Sequence, residues 1–451
     1  MHRNLLSELV EWKEKEQRRP LILKGARQVG KTWLLKEFGR LFFHDVCYIN
    51  FERTDLSDIF DGELDPARIV DYLSAIHGKK VEPENTLIIF DEVQELPRAL
   101  TSLKYFAEEA PGYAICGAGS HLGIALHKGT SFPVGKVDLL ELYPMGFEEF
   151  LAADGQETLS AFIRENPEGS IPAALAERLT DKLKQYFIIG GMPRVVQKWI
   201  DGHDYLEAAQ IQKEILDNIN DDFSKHIPAG VAGKVKYIWE SMPAQLAREN
   251  RKFVYGLVRE GARAREYEAA LLWLRDMGFA HPVYRVVKPG VPLRSYEDTK
   301  AFKLFMLDIG LLSYMSGLSP GLMAKKSEMF TEFKGALTEQ YIFGELKKTK
   351  GIRSINYWTS EGIAEVDFVV STDNDIIPVE VKAGEDLRAK SLKKYREDYA
   401  PALSVRTSMA GLRRDAGLQN IPLYAFFNFN AYIKDKGDGS KPLKKRTSTG
   451  S

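Results

Sequence analysis

The chain has 451 residues, 44% hydrophobic and 28% charged, with 62 basic against 63 acidic side chains and a formal net charge of −1. That composition is an ordinary globular one with room for about three domains, each expected to have its own core. Global charge neither requires nor forbids a nucleic-acid partner, two cysteines (Cys47 and Cys116, both in apolar runs) make no disulfide framework, and no apolar run is long enough to span a membrane.

The first residues continue into Glu11-Trp12-Lys13-Glu14, which lacks the apolar stretch of a secretion signal, so a cytoplasmic protein is expected. Residues 4–18 read as an amphipathic helix. An apolar strand, Leu21-Ile22-Leu23, then runs into Gly25-Ala26-Arg27-Gln28-Val29-Gly30-Lys31-Thr32, and Trp33–Phe38 reads as a helix. Strand, G-x-x-x-x-G-K-T and helix in that order form a phosphate cradle. Gly25 and Gly30 let the backbone turn so that consecutive N–H groups and the helix N-terminus face phosphate oxygens. Lys31 adds a point charge near the β- and γ-phosphates, and the Thr32 hydroxyl can ligate the accompanying magnesium. The ligand expected is ATP with Mg²⁺.

A second strand, Val46–Phe51, is followed by a helix after Pro66. The third, Thr86–Phe90, is a continuous apolar run, as in a strand buried on both faces, and ends in Asp91-Glu92. Asp91 is assigned to the metal and Glu92 to the attacking water, as acids at this place in P-loop enzymes act. The plain alternative is an acidic helix N-terminus. A fourth strand, Tyr113–Cys116, leads to Gly117-Ala118-Gly119-Ser120-His121, where Ser120 is the first choice for sensing the γ-phosphate. Strand–helix repetition through Leu142 predicts a parallel α/β sheet with ligand at its carboxyl edge.

The phosphate loop, Ile88-Ile89-Phe90-Asp91-Glu92-Val93-Gln94, Gly-Ala-Gly-Ser, Leu142-Tyr143-Pro144-Met145-Gly146-Phe147-Glu148-Glu149-Phe150 and Gly190-Gly191-Met192-Pro193 together resemble the prokaryotic AAA-superfamily ATPases that end in a nuclease-like domain. The resemblance implies a P-loop core over 1–143 and a helical lid over 144–229, with Pro193 near the adenine and Arg194 as a sensor. It also implies a homo-oligomeric ring, with a hexamer as one option. Relatives often carry Gly-Arg before the fifth strand where this chain has Gly135-Lys136, so no arginine finger is assigned.

Residues 230–327 form a different unit. Ala262–Met277 carries apolar residues at helical spacing (Tyr267, Ala270, Leu271, Leu274), and Gly278-Phe279 leads to two β-like runs, Pro282–Val287 and Phe302–Leu307, a pattern expected of a winged helix. Arg248, Arg251, Lys252, Arg259, Arg263 and Arg265 can meet phosphates, although Glu249, Glu260, Glu266 and Glu268 among them equally describe a solvated, salt-bridged face.

Over 328–435, Glu339 lies in a predicted helix (Leu337–Leu346). Ala364–Val370 and Ile376–Lys382 read as a hairpin across Asp373-Asn374-Asp375. Glu380 and Lys382 are two apart on one strand and share a face. The pattern resembles PD-(D/E)XK nucleases, with Asp367 as the acid and Glu380-Val381-Lys382 as the E-x-K. Asp367 and Glu380 would bind magnesium, Glu339 would hold it through water, and Lys382 would position the attacking water. The alternative is a nuclease fold kept only for binding DNA or a partner. Arg388, Lys390, Lys393, Lys394 and Arg396 make a basic helix that can follow duplex or branched DNA, and 436–451 reads as a disordered tail. The expected whole is an ATP-driven motor on DNA; the competing readings are an ATP-gated nuclease and a nucleotide-dependent oligomerisation switch.

Overall fold

The structure, a computed structural model, describes residues 1–120, 133, 135–248, 251–319, 328–360, 364–385 and 388–434. His121 and the tail expected over 436–451 lie outside them. Strands β1 (Leu21–Lys24), β2 (Asp45–Asn50), β3 (Thr86–Asp91), β4 (Ala114–Ala118) and β5 (Asp138–Glu141) form one sheet in the order β2-β3-β4-β1-β5. Every pairing in it is parallel. β3 and β4 are buried along their whole length, as the unbroken apolar run of β3 requires. β4 separates β1 from β3, so the phosphate loop and the Asp91-Glu92 pair leave the same edge of the sheet two strands apart.

Residues 147–226 are helical, in helices Phe147–Ala153, Glu157–Glu165, Ala173–Ile189, Pro193–Gly202 and Tyr205–His226. The helix Ala264–Asp276 buries Tyr267, Ala270 and Leu274, three of the four residues whose spacing predicts it. The hairpin expected to be a wing has a different setting. Strands β6 (Ala280–Val286) and β7 (Glu297–Met306) pair antiparallel, and β6 joins β8 (Ser354–Thr359) in parallel at Arg285↔Tyr357 and Val286↔Trp358. The hairpin thus extends the sheet formed by β8, β9 (Glu365–Ser371), β10 (Ile376–Val381), β11 (Ser404–Ser408), β12 (Arg413–Asp415) and β13 (Leu418–Pro422). β8, β9 and β10 are antiparallel neighbours, whereas β10, β11 and β13 run parallel, so this second sheet is mixed.

Composition predicts separate cores, but one buried apolar cluster runs from Leu9 and Trp12 through the lid to Tyr432. The reason is the lid. Tyr186 and Phe187 place their rings 6.0 and 5.5 Å from Tyr341 on the helix Glu328–Lys348, joining both halves of the chain through aromatic packing.

Gly190-Gly191 lies at the centre of that junction. The Gly191 N–H donates to the buried Asp308 carboxylate at 2.7 Å, and its carbonyl accepts from Met145 N–H, also at 2.7 Å. Gly190 has φ +76°, and a Cβ there would stand 2.2 Å from Asp308 Oδ1 and 2.7 Å from the Gly310 backbone. We expect Gly190→Ala to lower the unfolding free energy by about 2–4 kcal/mol, a clash added to a left-handed backbone. Gly155→Ala, with φ +70° and nothing within 4 Å, should cost only about 1 kcal/mol. Urea unfolding midpoints of the two variants check the difference.

Candidate active site

The phosphate loop is shaped by its glycines. Gly30 has φ +96°, and Gly25 has φ +151° with no room for a Cβ, which would meet the Leu142 carbonyl oxygen at 2.3 Å. Gln28 between them also has positive φ. The helix Lys31–Phe42 begins directly after Gly30, so its N-terminus faces the loop.

Lys31 is 5% exposed, and its ammonium donates to the carbonyls of Gly25 (3.0 Å) and Ala26 (2.9 Å) and to Ser120 Oγ (3.3 Å). Burial pulls it down to about 8, against the attraction of Glu92 and Asp91. Thr32 Oγ1 donates to Asp91 Oδ2 at 2.9 Å, the oxygen that Tyr48 OH reaches at 2.7 Å. Burial and the Asp91 carboxylate push the Tyr48 phenol up to about 12.

Glu92 has a left-handed backbone, φ 49° and ψ 45°, uncommon for a residue with a side chain. That turn brings its carboxylate to Ser120, whose Oγ donates at 3.1 Å, while Gln94 Nε2 donates at 2.7 Å. Burial alone would raise the Glu92 carboxyl, but Gln94, the Lys31 charge and Ser120 outweigh it and hold it below its ordinary range. Ser120 therefore links the two charged groups, accepting from Lys31 and donating to Glu92.

The neighbouring expectations fall as follows. Pro193 Cγ comes within 3.6 Å of a Cβ built at Gly30, so the lid touches the loop there. Arg194 sits on Glu214 at 2.6 Å within the lid. Arg27, inside the loop, is ion-paired with the buried Asp222 of the helix Tyr205–His226. Val29 gives its carbonyl to Arg3 Nη1 at 2.8 Å. Lys136, where relatives often carry arginine, is paired with Glu108 at 2.9 Å.

The sequence does not mark Arg3 or Asp222 as partners of the loop, and it shows Gln94 only as part of a motif, without its bond to Glu92. The first two lie far from the loop in the chain, and only the fold brings them there. Tyr48 was findable, since Tyr48 and Asn50 alternate along β2 and so share a face at the end of the strand.

These residues fit a nucleoside triphosphate with its cation. Lys31 and the loop N–H groups would hold the phosphates, and Thr32 with Asp91 would hold magnesium, which would supply charge neutralisation. Glu92, kept ionised, can orient a water and take its proton.

The second constellation is also assembled. The register Val379↔Phe368 sets β9 against β10, and Asp367 Oδ2 accepts from Val381 N–H at 2.7 Å. Lys382 Nζ lies 2.7 Å from Glu380 Oε1, in agreement with the shared face read from the sequence. Glu339 arrives from the helix Glu328–Lys348 and meets Lys303, the same lysine that reaches Asp367.

Two cations that the sequence did not place are there as well. Lys303 of β7, 0% exposed, reaches Glu365 at 2.6 Å, Glu339 at 3.2 Å and Asp367 at 3.9 Å. Arg251 is ion-paired with Glu339, so it is not part of an exposed phosphate-facing cluster. Burial, with Glu339 and Glu380 close by, drives the Asp367 carboxyl well above its ordinary range. Glu339, which burial would raise, is held low by Lys303 and Arg251. Among the described residues no group of three or more His, Cys, Asp or Glu is arranged to hold a metal. Magnesium does not fit these acids as they stand.

A depressed Lys31 gives a pH signature. Bound phosphate favours the ammonium, so nucleotide affinity should be level below about pH 8 and fall above it, approaching about tenfold per pH unit. Lys31→Ala should abolish both the slope and most of the affinity. Fluorescent-nucleotide titrations over a pH series check this, and a flat profile across that range would discard it.

Residues 17–151 match a family model described as an AAA domain; 180–321 and 334–426 match two described as domains of unknown function (DUF8612 and DUF4143). No curated protein matches the chain. Similar solved structures include the Walker-type ATPase PABY2304 of Pyrococcus abyssi, 17% identical, covering 70% of this chain and 95% of that one, with a TM-score of 0.42. Another is the Aeropyrum pernix ORC1 protein in complex with DNA, 16% identical, covering 69% and 90%, with a TM-score of 0.25. Scores that low carry no argument. The match over 17–151, on a parallel sheet with this phosphate loop, supports an AAA-type ATPase.

Proposed function

We propose that this chain hydrolyses ATP with magnesium and uses the cycle to act on duplex or branched DNA, as a ring of identical subunits. The observation that carries the ATPase reading is the Lys31–Ser120–Glu92 connection beside the Thr32–Asp91 pair. It joins a phosphate-binding charge, a metal-binding pair and an ionised acid within one polar network. Among the described residues no helix is long and apolar enough to cross a membrane.

DNA is supported by exposed basic residues in two places. Arg259, Arg263 and Arg265 are exposed around the start of the helix Ala264–Asp276, and Arg388, Lys390, Lys393 and Lys394 are exposed on and just before the helix Lys390–Tyr399. Lys394 pairs with Asp398 at 2.7 Å and Lys393 with Glu397 at 3.9 Å. Such exposed i,i+4 pairs are worth only about 0.3–0.5 kcal/mol, so a phosphate can displace them. Arg396 instead donates to the Ala416 carbonyl at 2.6 Å, which ties it to the fold.

Two outcomes are expected. Lys31→Ala should lose nucleotide binding, whereas Glu92→Gln should bind ATP but turn it over at least about a hundredfold more slowly. Wild-type turnover should rise with forked or four-way DNA, and light scattering of the Glu92→Gln protein with ATP should report an oligomer. Wild-type hydrolysis by Glu92→Gln overturns the catalytic assignment; turnover indifferent to DNA, or a monomer, overturns the DNA or ring part.

DNA affinity should fall at least about tenfold between about 50 and about 200 mM salt, and Lys393→Glu with Lys394→Glu should weaken it further. Fluorescence anisotropy measures both. Salt-independent binding would return those lysines to their own acids.

A further inference from the structure

The C-terminal carboxylates already have counter-ions, and one of these is held in an unusual way. Glu339 is 2% exposed and both its oxygens are taken, Oε1 by Arg251 and Oε2 by Lys303. Lys303 is fixed, fully buried in β7 with its ammonium 5.2 Å from the centre of the Tyr357 ring. Arg251 is not part of a strand or helix. It lies between the helix Ala229–Leu246 and Phe253, with φ +47°, and its side chain is 15% exposed. It lines a cavity of about 660 Å³ together with Arg248, Glu339, Asp367, Glu380 and Lys382.

Two features mark the Arg251 position as a built seat. Gly335, on the helix that carries Glu339, is where the guanidinium rests: a Cβ there would be 2.5 Å from Arg251 Nη2. Across the cavity, Glu380 is 4% exposed, and its Oε2 is buried without a hydrogen-bond partner among the described residues. One oxygen of Glu380 is thus buried unanswered, while those of Glu339 are occupied by protein cations.

We infer that Arg251 is a built-in counter-ion occupying the place of a divalent cation at the Glu339–Asp367–Glu380 cluster, so that cation binding there requires Arg251 to leave its seat against Gly335. The occupancy of Glu339 supports mutual exclusion: its two oxygens are held by Arg251 and Lys303, so an incoming divalent ion would meet two cations already seated on the carboxylate it needs. With Arg251 withdrawn, Glu339 Oε1 is released. This inference is independent of the ATPase reading.

The test is Mn²⁺ binding by full-length, nucleotide-free protein, read by electron paramagnetic resonance and calorimetry. The proteins are wild type, Arg251→Ala, Gly335→Ala, and each variant combined with Asp367→Asn. Gly335→Ala keeps every charge and unseats the guanidinium by contact alone, so it decides the matter if deleting Arg251 impairs folding. Wild type should show no Asp367-dependent site, and each single variant should gain one at least about tenfold tighter, lost again with Asp367→Asn. Asp367-dependent Mn²⁺ binding by wild type overturns the inference. So does failure of the folded variants, checked by circular dichroism, to gain a site.

Discussion

A single buried guanidinium, that of Arg3, fixes the geometry of the nucleotide site. Only 4% exposed, it donates to the Val29 carbonyl inside the phosphate loop, to the Tyr143 carbonyl beyond β5 at 2.6 Å and to Glu149 at 3.0 Å. Glu149 in turn accepts from the N–H groups of Asn4 and Gly146, which helps hold it ionised although burial alone would raise it. Removing one partner of such a pair leaves the other as a buried, uncompensated charge, at a cost of about 3–5 kcal/mol. The loop that would cradle phosphate is therefore held from behind by groups that never approach the phosphate.

From Glu149 the polar contacts continue towards the other end of the chain. The helix Phe147–Ala153, which Glu149 caps, gives its first N–H to Glu345 at 3.1 Å. Glu345 shares a helix with Gln340, which bonds Met306 of β7 in both directions at 2.8 and 2.9 Å, and with Glu339. The phosphate loop and the C-terminal carboxylates are thus joined through one buried pair, one helix N-terminus and one long helix. The Asp308–Gly191 bond makes a second, parallel join through the lid.

How much of this could be read from the sequence follows from distance along the chain. The phosphate loop, the apolar run into Asp91-Glu92 and the hairpin carrying Asp367 and Glu380 are contiguous, so a local motif or strand alternation locates them, although the left-handed turn that aims Glu92 belongs to no such pattern. Ser120 was readable as a polar residue at a strand end, though its bonds to Lys31 and Glu92 were not. The partners of the reactive residues come from elsewhere: Arg3 for Val29, Asp222 for Arg27, and Arg251 and Lys303 for Glu339. Lys303 reaches the acids because β6 pairs with β8 and carries β7 into the C-terminal sheet, a register that no local pattern encodes. Arg251 reads as one more member of a basic cluster until the fold turns it inward.

The two sites differ in what a ligand must bring. At Lys31 the present partners are two backbone carbonyls and a hydroxyl, neutral acceptors that a phosphate oxygen replaces with gain, since it adds the opposite charge. At Glu339 the present partners are full charges already out of water, so an incoming cation must displace one of them to reach that carboxylate. At the first site a buried ammonium is bonded only to neutral acceptors; the second is closed against metal by the protein's own arginine. That closure rests on a residue, Arg251, that lies outside any strand or helix.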